Sequence, residues 1–177
     1  MGKYTSVEEV AVRTMTLFFI IDTSGSMAGK KIGTLNETIN NLIPEVRRIS
    51  SDNADAKINI AVLKFSTYSE WAFPKPVEAE SFTWKYLDTG GLTDLGAACL
   101  ELNSKLSRKT GFMEAASGSF APTIFLLSDG YPTDDYLSGI NQLKSNNWFK
   151  SAIKVAIAIG DADEDILAEF TGIKEAV

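Results

Sequence analysis

The sequence predicts an α/β fold, a three-layer α/β/α sandwich on a mostly parallel central sheet. Three observations predict it. Short runs that are apolar on both faces recur at residues 16–21, 123–128 and 152–160, as in strands covered by helices on both sides. Segments with apolar residues at helical spacing separate them. The two kinds of segment alternate, which is the pattern of strand–crossover–strand units and of a parallel sheet.

The elements follow in order. "TLFFII" at 16–21 is the first buried strand. Residues 32–49 place Ile32, Leu35, Ile39, Leu42, Ile43, Val46 and Ile49 on one helical face, with Pro44 as a candidate kink. "KINIAVLKF" at 57–65 is a second strand, and "SEWAF" at 69–73 a third. The turn between them is short, so the third runs antiparallel to the second. Residues 74–92 form a long connection punctuated by proline and glycine, and 94–106 an amphipathic helix. Residues 107–122 read as loop, "TIFLLS" at 123–128 as a buried strand, 134–146 as a helix, "AIKVAIAIG" at 152–160 as a further buried strand and 163–173 as a closing helix. Residues 1–14 precede this pattern as an N-terminal extension, and 15–177 make one domain. The aromatics Tyr68, Trp71, Phe73, Phe82, Trp84 and Tyr86 are expected in the core or over the sheet, with any exposed subset a candidate partner surface.

Composition narrows the chemistry. With 45% hydrophobic and 23% charged residues, the chain is of ordinary globular type. Its charge of −6 and the lack of a basic cluster stronger than Lys30-Lys31 or Arg47-Arg48 argue against a nucleic-acid partner. No apolar run reaches the roughly 18 residues of a membrane span, and the acid-bearing N-terminus does not resemble a signal peptide. Gly2 and Ser6 fit a myristoylation pattern, but the pattern is short and permissive. A single cysteine, Cys99, allows no internal disulfide and suits a reducing, cytoplasmic setting. The chain has no histidine, which removes Ser-His-Asp and Cys-His catalysis and the histidine-based zinc sites. A metal bound here would sit on oxygen, which points to magnesium, manganese or calcium.

In a parallel sheet the C-terminal strand ends share one edge, where ligands bind. Asp22 ends the first strand, in "FFIIDTSGSM", and Asp129 follows the 123–128 strand, in "FLLSDGYPTD". Ser24 and Ser26 lie just beyond Asp22, with Gly25 to free the turn, and Thr93 precedes a helix in "GGLTDLGAAC". Taken alone, the two serines read as turn or helix-capping residues. Asp94 reads as a cap or supporting acid. Asp134 and Asp135 read as first-turn acids favoured by the helix dipole.

Together these three segments resemble, in order, the D-x-S-x-S, threonine-loop and aspartate-glycine motifs of the von Willebrand factor type A domain. The resemblance spans about residues 15–175. It implies a Rossmann-like sandwich with one antiparallel edge strand. It also implies a metal-ion-dependent adhesion site formed by Asp22, Ser24, Ser26, Thr93 and Asp129. Such a site would hold Mg²⁺, with Mn²⁺ or Ca²⁺ as alternatives, and would take a carboxylate from a partner protein at its open position. The expected function is therefore a non-enzymatic interaction module, monomeric on its own. The motif wording leans toward the bacterial tellurium-resistance group, among family members associated with stress responses and AAA-type ATPases.

Other motifs fit less well. Lys30 stands where a Walker A glycine would be, and Ser24 where a nucleophile elbow needs its first glycine. "DADED" at 161–165 lacks the EF-hand glycine, having Ile166 there, and ends on Gly172 in place of glutamate. A Mg²⁺-dependent aspartyl phosphatase would need a second aspartate where Ser24 stands. A structural descendant that no longer uses a metal is the remaining alternative.

Overall fold

Five principal strands stand in the order β3-β2-β1-β5-β6 in a computed structural model that describes residues 12–113 and 118–177. Strand β1 (Arg13–Asp22) lies at the centre, between β2 (Ala56–Phe65) and β5 (Thr123–Ser128), with β6 (Ile153–Ala158) beyond β5. All four are parallel. At the other edge β3 (Ser69–Trp71) and β4 (Val77–Glu78) both run antiparallel to β2, opposite its C-terminal and middle thirds respectively. The expected antiparallel edge is present, built from two short pieces. The second lies within the segment read as connection, because two residues directly after Pro74 and Pro76 are too few for a strand signal.

Strand β1 begins at Arg13, so Arg13 and Thr14 of the expected extension belong to the sheet. Residues 1–11, and with them the myristoylation pattern at Gly2 and Ser6, lie outside the described residues.

Side chains alternate across β1 and divide the core. Phe19 and Ile21 face helix α1 (Lys30–Asp52), packing with Leu35, Ile39, Ile43 and Val46. Phe18 and Ile20 face the other layer, formed by α2 (Leu95–Lys105), α3 (Tyr136–Lys144), α4 (Asn147–Ser151) and α5 (Glu164–Thr171). The first crossover lays α1 on one face. The later crossovers, which run the other way along the sheet, lay α2, α3 and α4 on the opposite face, as right-handed connections require, and α5, which follows β6, packs there with them. Helix α1 runs unbroken through Pro44. Helix α4, only five residues long, carries too little periodicity to be read from sequence.

One expectation is corrected. Strand β6 is not buried: it is the outer strand, with Ile153 and Ile157 exposed and only Ala156 fully enclosed. Apolar residues on both faces signalled an interior strand, but neighbours on both sides are also needed for burial. Among the aromatics, Phe82 and Trp84 are buried and Trp71 and Phe73 pack against the core, whereas Tyr68 and Tyr86 are exposed.

Candidate metal centre

The register of β1 on β5 pairs Ile21 with Leu127, which sets Asp22 level with Ser128 at the C-terminal edge. Both are buried. Asp22 Oδ2 accepts a hydrogen bond from Ser128 Oγ at 2.7 Å, and its Oδ1 accepts one from the Ser24 amide at 2.9 Å. Ser128 Oγ in turn accepts from the Gly130 amide at 2.9 Å, which folds the β5 loop back over the strand end. Gly130 has φ of 73°, and a Cβ there would stand 2.9 Å from the Asp163 backbone, so the loop requires glycine.

Beyond Asp22 the chain makes a single 3₁₀ turn at Gly25–Met27. That turn brings the Ser24 and Ser26 hydroxyls within 3.0 Å of each other. Asp129 is 1% exposed, and its charge bears on Asp22. Asp129 Oδ2 receives the Lys31 ammonium at 3.3 Å. Asp129 Oδ1 is buried and accepts no hydrogen bond among the described residues.

Thr93 is also buried, in the loop before α2. The Gly25 amide donates to Gly91 O at 3.0 Å and the Gly90 amide to Thr23 O at 2.8 Å, which joins that loop to the β1 turn. The Thr93 amide donates to Thr133 Oγ1 at 3.1 Å and the Thr133 amide to Thr93 O at 2.8 Å, which joins it to the β5 loop. All five residues singled out from sequence thus lie on three loops that are hydrogen-bonded to one another. Asp22, Ser24 and Ser26 are linked directly, Asp129 through its charge, and Thr93 through its backbone.

Burial raises the Asp22 carboxyl above its ordinary range. Hydrogen bonds from Ser24 and Ser128 pull it back down, and the neighbouring Asp129 charge pushes it further up. Two buried carboxylates that repel each other favour positive charge beside them, and Lys31 supplies one such charge at Asp129. The donor set of two carboxylates and three hydroxyls is all oxygen, and Asp129 Oδ1 is a buried acceptor with spare capacity. The residues therefore fit a hard divalent cation. No cluster of three or more His, Cys, Asp or Glu among the described residues offers a rival centre.

Sequence reasoning missed three supporting residues. Ser128 stands inside the quoted motif, but its role depends on strand register. Lys31 reaches Asp129 from α1. Asp134 is not a first-turn acid of its own helix: its carboxylate caps α2, accepting from the Gly96 amide at 3.0 Å and the Ala97 amide at 2.9 Å. Asp94, in the N-cap position of α2, makes no capping bond and instead accepts from Thr133 Oγ1 at 3.0 Å. Asp135 caps α3 through the Ser138 amide, and Asp163 caps α5, which accounts for the acidic run at 161–165. No helix among the described residues is long and apolar enough to cross a membrane.

Comparisons with known proteins agree with this architecture. Proximal thread matrix protein 1 from the mussel byssus, in a structure with a zinc-occupied MIDAS motif, superposes with a TM-score of 0.67 at 16% identity, covering 94% of this chain and 43% of that one. The ArnB paralog VWA2 from Sulfolobus acidocaldarius gives a TM-score of 0.64 at 21% identity, over 90% of this chain and 39% of that one. A von Willebrand factor type A protein from Catenulispora acidiphila gives 0.62 at 17% identity, over 90% and 36%. At these identities the likeness is one of fold, and the chain spans less than half the length of each of the three. No curated protein matches the sequence. The model of the von Willebrand factor type A domain matches residues 16–176, and the chain belongs to that family.

Proposed function

We propose that the protein is a non-enzymatic interaction module whose C-terminal sheet edge is a metal-ion-dependent adhesion site. Asp22, Ser24, Ser26, Thr93 and Asp129 would hold one divalent cation, Mg²⁺ by preference and Mn²⁺ or Ca²⁺ as substitutes. The observation that carries this reading is the unpartnered, buried Asp129 Oδ1 beside the hydrogen-bonded Asp22–Ser24–Ser26 group. A bound cation supplies a Lewis-acidic position that a carboxylate from a partner protein can complete. Asp22 and Asp129 would match the charge of the cation and the three hydroxyls are neutral, so five donors would leave one of about six positions open. We extend the reading to a monomeric, cytoplasmic protein of the bacterial tellurium-resistance or AAA-ATPase-linked kind, supported by motif wording alone.

Ser24 argues against a phosphatase, because it stands where the general acid would be and its amide already engages Asp22. Titration calorimetry with Mg²⁺ and Mn²⁺ tests the metal. Binding by the wild type, weakened in Thr93→Ala, is expected, and no binding by the wild type overturns the proposal. Pull-down with and without EDTA tests the partner. Chelator-sensitive capture, weakened more than folding by Asp22→Ala or Asp129→Ala, is expected. Mg²⁺-dependent turnover of a phosphomonoester, abolished by Asp22→Asn, would replace this reading with an enzymatic one.

A further inference from the structure

Helix α1 breaks a local rule. Its first turn carries Lys30 and Lys31 and no acid, and its N-cap, Gly29, makes no side-chain cap. Cations at a helix N-terminus oppose the macrodipole. Violations of local preference concentrate at functional sites, and this one lies against the candidate metal centre. The Lys31 ammonium stands 3.3 Å from Asp129 Oδ2, and its side chain keeps 34% of its surface in solvent while Asp129 keeps 1%. The lysine reaches inward across Gly160, in the turn after β6. A Cβ at Gly160 would stand 2.8 Å from Lys31 Cε and 3.4 Å from Nζ. Gly160, with φ of 65°, leaves the passage through which the lysine stem runs. A helix start that tolerates two lysines, a glycine that clears a path for one, and a buried carboxylate at the end of that path form one arrangement.

We propose that Lys31 is a built-in competitor for the divalent cation: its ammonium and the metal share the Asp129 carboxylate, and loading the metal releases the lysine to solvent. This rests on the metal-binding reading above. Lys31 then does two things. Without metal it neutralises Asp129, so the fold does not depend on the cation. With metal it weakens affinity, so the centre fills only where the cation is abundant. Its half-exposed stem lets the ammonium leave without disturbing the core.

The test compares wild type, Lys31→Met, Lys31→Gln and Lys31→Arg. Melting is followed in EDTA and in saturating Mn²⁺, and Mn²⁺ affinity is measured by calorimetry. Lys31→Met keeps the apolar stem over Gly160 and removes the charge; Lys31→Gln serves as a second neutral variant. Both should melt below wild type in EDTA, converge on it in Mn²⁺, and bind Mn²⁺ about tenfold more tightly, within the ordinary range of coupling between ligands. Lys31→Arg should follow wild type throughout. A melting deficit that is the same with and without Mn²⁺ would make Lys31 a packing residue and overturn the proposal. So would equal Mn²⁺ affinity in wild type and both neutral variants. Failure of the wild type itself to bind Mn²⁺ would remove the metal-binding reading, and this inference with it.

Discussion

Asp22 carries the sharpest conflict between stability and function. It is fully buried, and the fold holds its proton more tightly than the unfolded chain does, because burial outweighs the Ser24 and Ser128 hydrogen bonds and Asp129 adds repulsion. The sign follows by linkage. The stability gained from that bound proton is complete below the ordinary value of 3.8 and is lost as pH rises through the raised value. At neutral pH without metal, the ionised carboxylate therefore costs the fold. Asp22→Asn keeps the acceptor for the Ser24 amide and removes the charge. It should melt a few degrees above wild type at pH 7 in EDTA, with the difference shrinking as the pH approaches 4, and Mg²⁺ should no longer stabilise it. A variant that melts lower than wild type at pH 7 in EDTA would show that the charge is already compensated. The candidate ligands were legible at this scale because three of the five follow one strand within five positions and the other two sit in recognisable strand-to-loop contexts. Ser128 was not, since its bond to Asp22 exists only once β1 and β5 are in register.

At the scale of elements, the centre depends on how α2 is started. Asp134, at the end of the β5 loop, accepts hydrogen bonds from two amides of the α2 N-terminus, while the residue in the N-cap position, Asp94, turns to Thr133. The helix that follows Thr93 is thus capped from the loop that follows Asp129. The helices also meet backbone to backbone: a Cβ on Gly139 of α3 would stand 2.5 Å from Gly96 O of α2. Asp134→Ala should cost about 0.5–2 kcal/mol, the usual range for a lost cap. It should appear as a lower urea midpoint with an unchanged slope, and it should weaken Mn²⁺ binding as well. Loss of stability without loss of affinity would separate the cap from the site. Strands β1 and β5 were readable because each carries a run that is apolar on both faces, and β2 because its Ile58, Ile60, Val62 and Phe65 recur among few polar residues. The end-of-sheet place of β6 was not, because its Ile153 and Ile157 look the same in sequence whether or not something covers them. The cap from Asp134 was hidden because it crosses 38 positions of chain.

For the whole molecule, the question is whether the metal organises the edge or finds it ready. The backbone bonds Gly25–Gly91, Gly90–Thr23 and Thr133–Thr93 tie the three ligand loops together, and the Asp94 amide, bonded to Ser66 O at 3.0 Å, ties in the loop after β2. Beneath them lies a parallel sheet with a core on each face, one side centred on Phe18 and Ile20, the other on Phe19 and Ile21. None of these contacts needs a cation, and Lys31 already neutralises Asp129. The edge is therefore held by the protein, unlike small metallo-domains in which binding and folding are one event. EDTA should leave the far-UV circular dichroism and the cooperativity of unfolding unchanged. Metal should act by mass action, adding about 2.7 kcal/mol at a hundred times its dissociation constant. New hydrogen-exchange protection should be confined to residues 22–27, 88–94 and 128–134. Loss of secondary structure in EDTA, or protection spreading into β6 and α5, would mean that the cation helps to build the fold, and the centre would then be structural before it is adhesive.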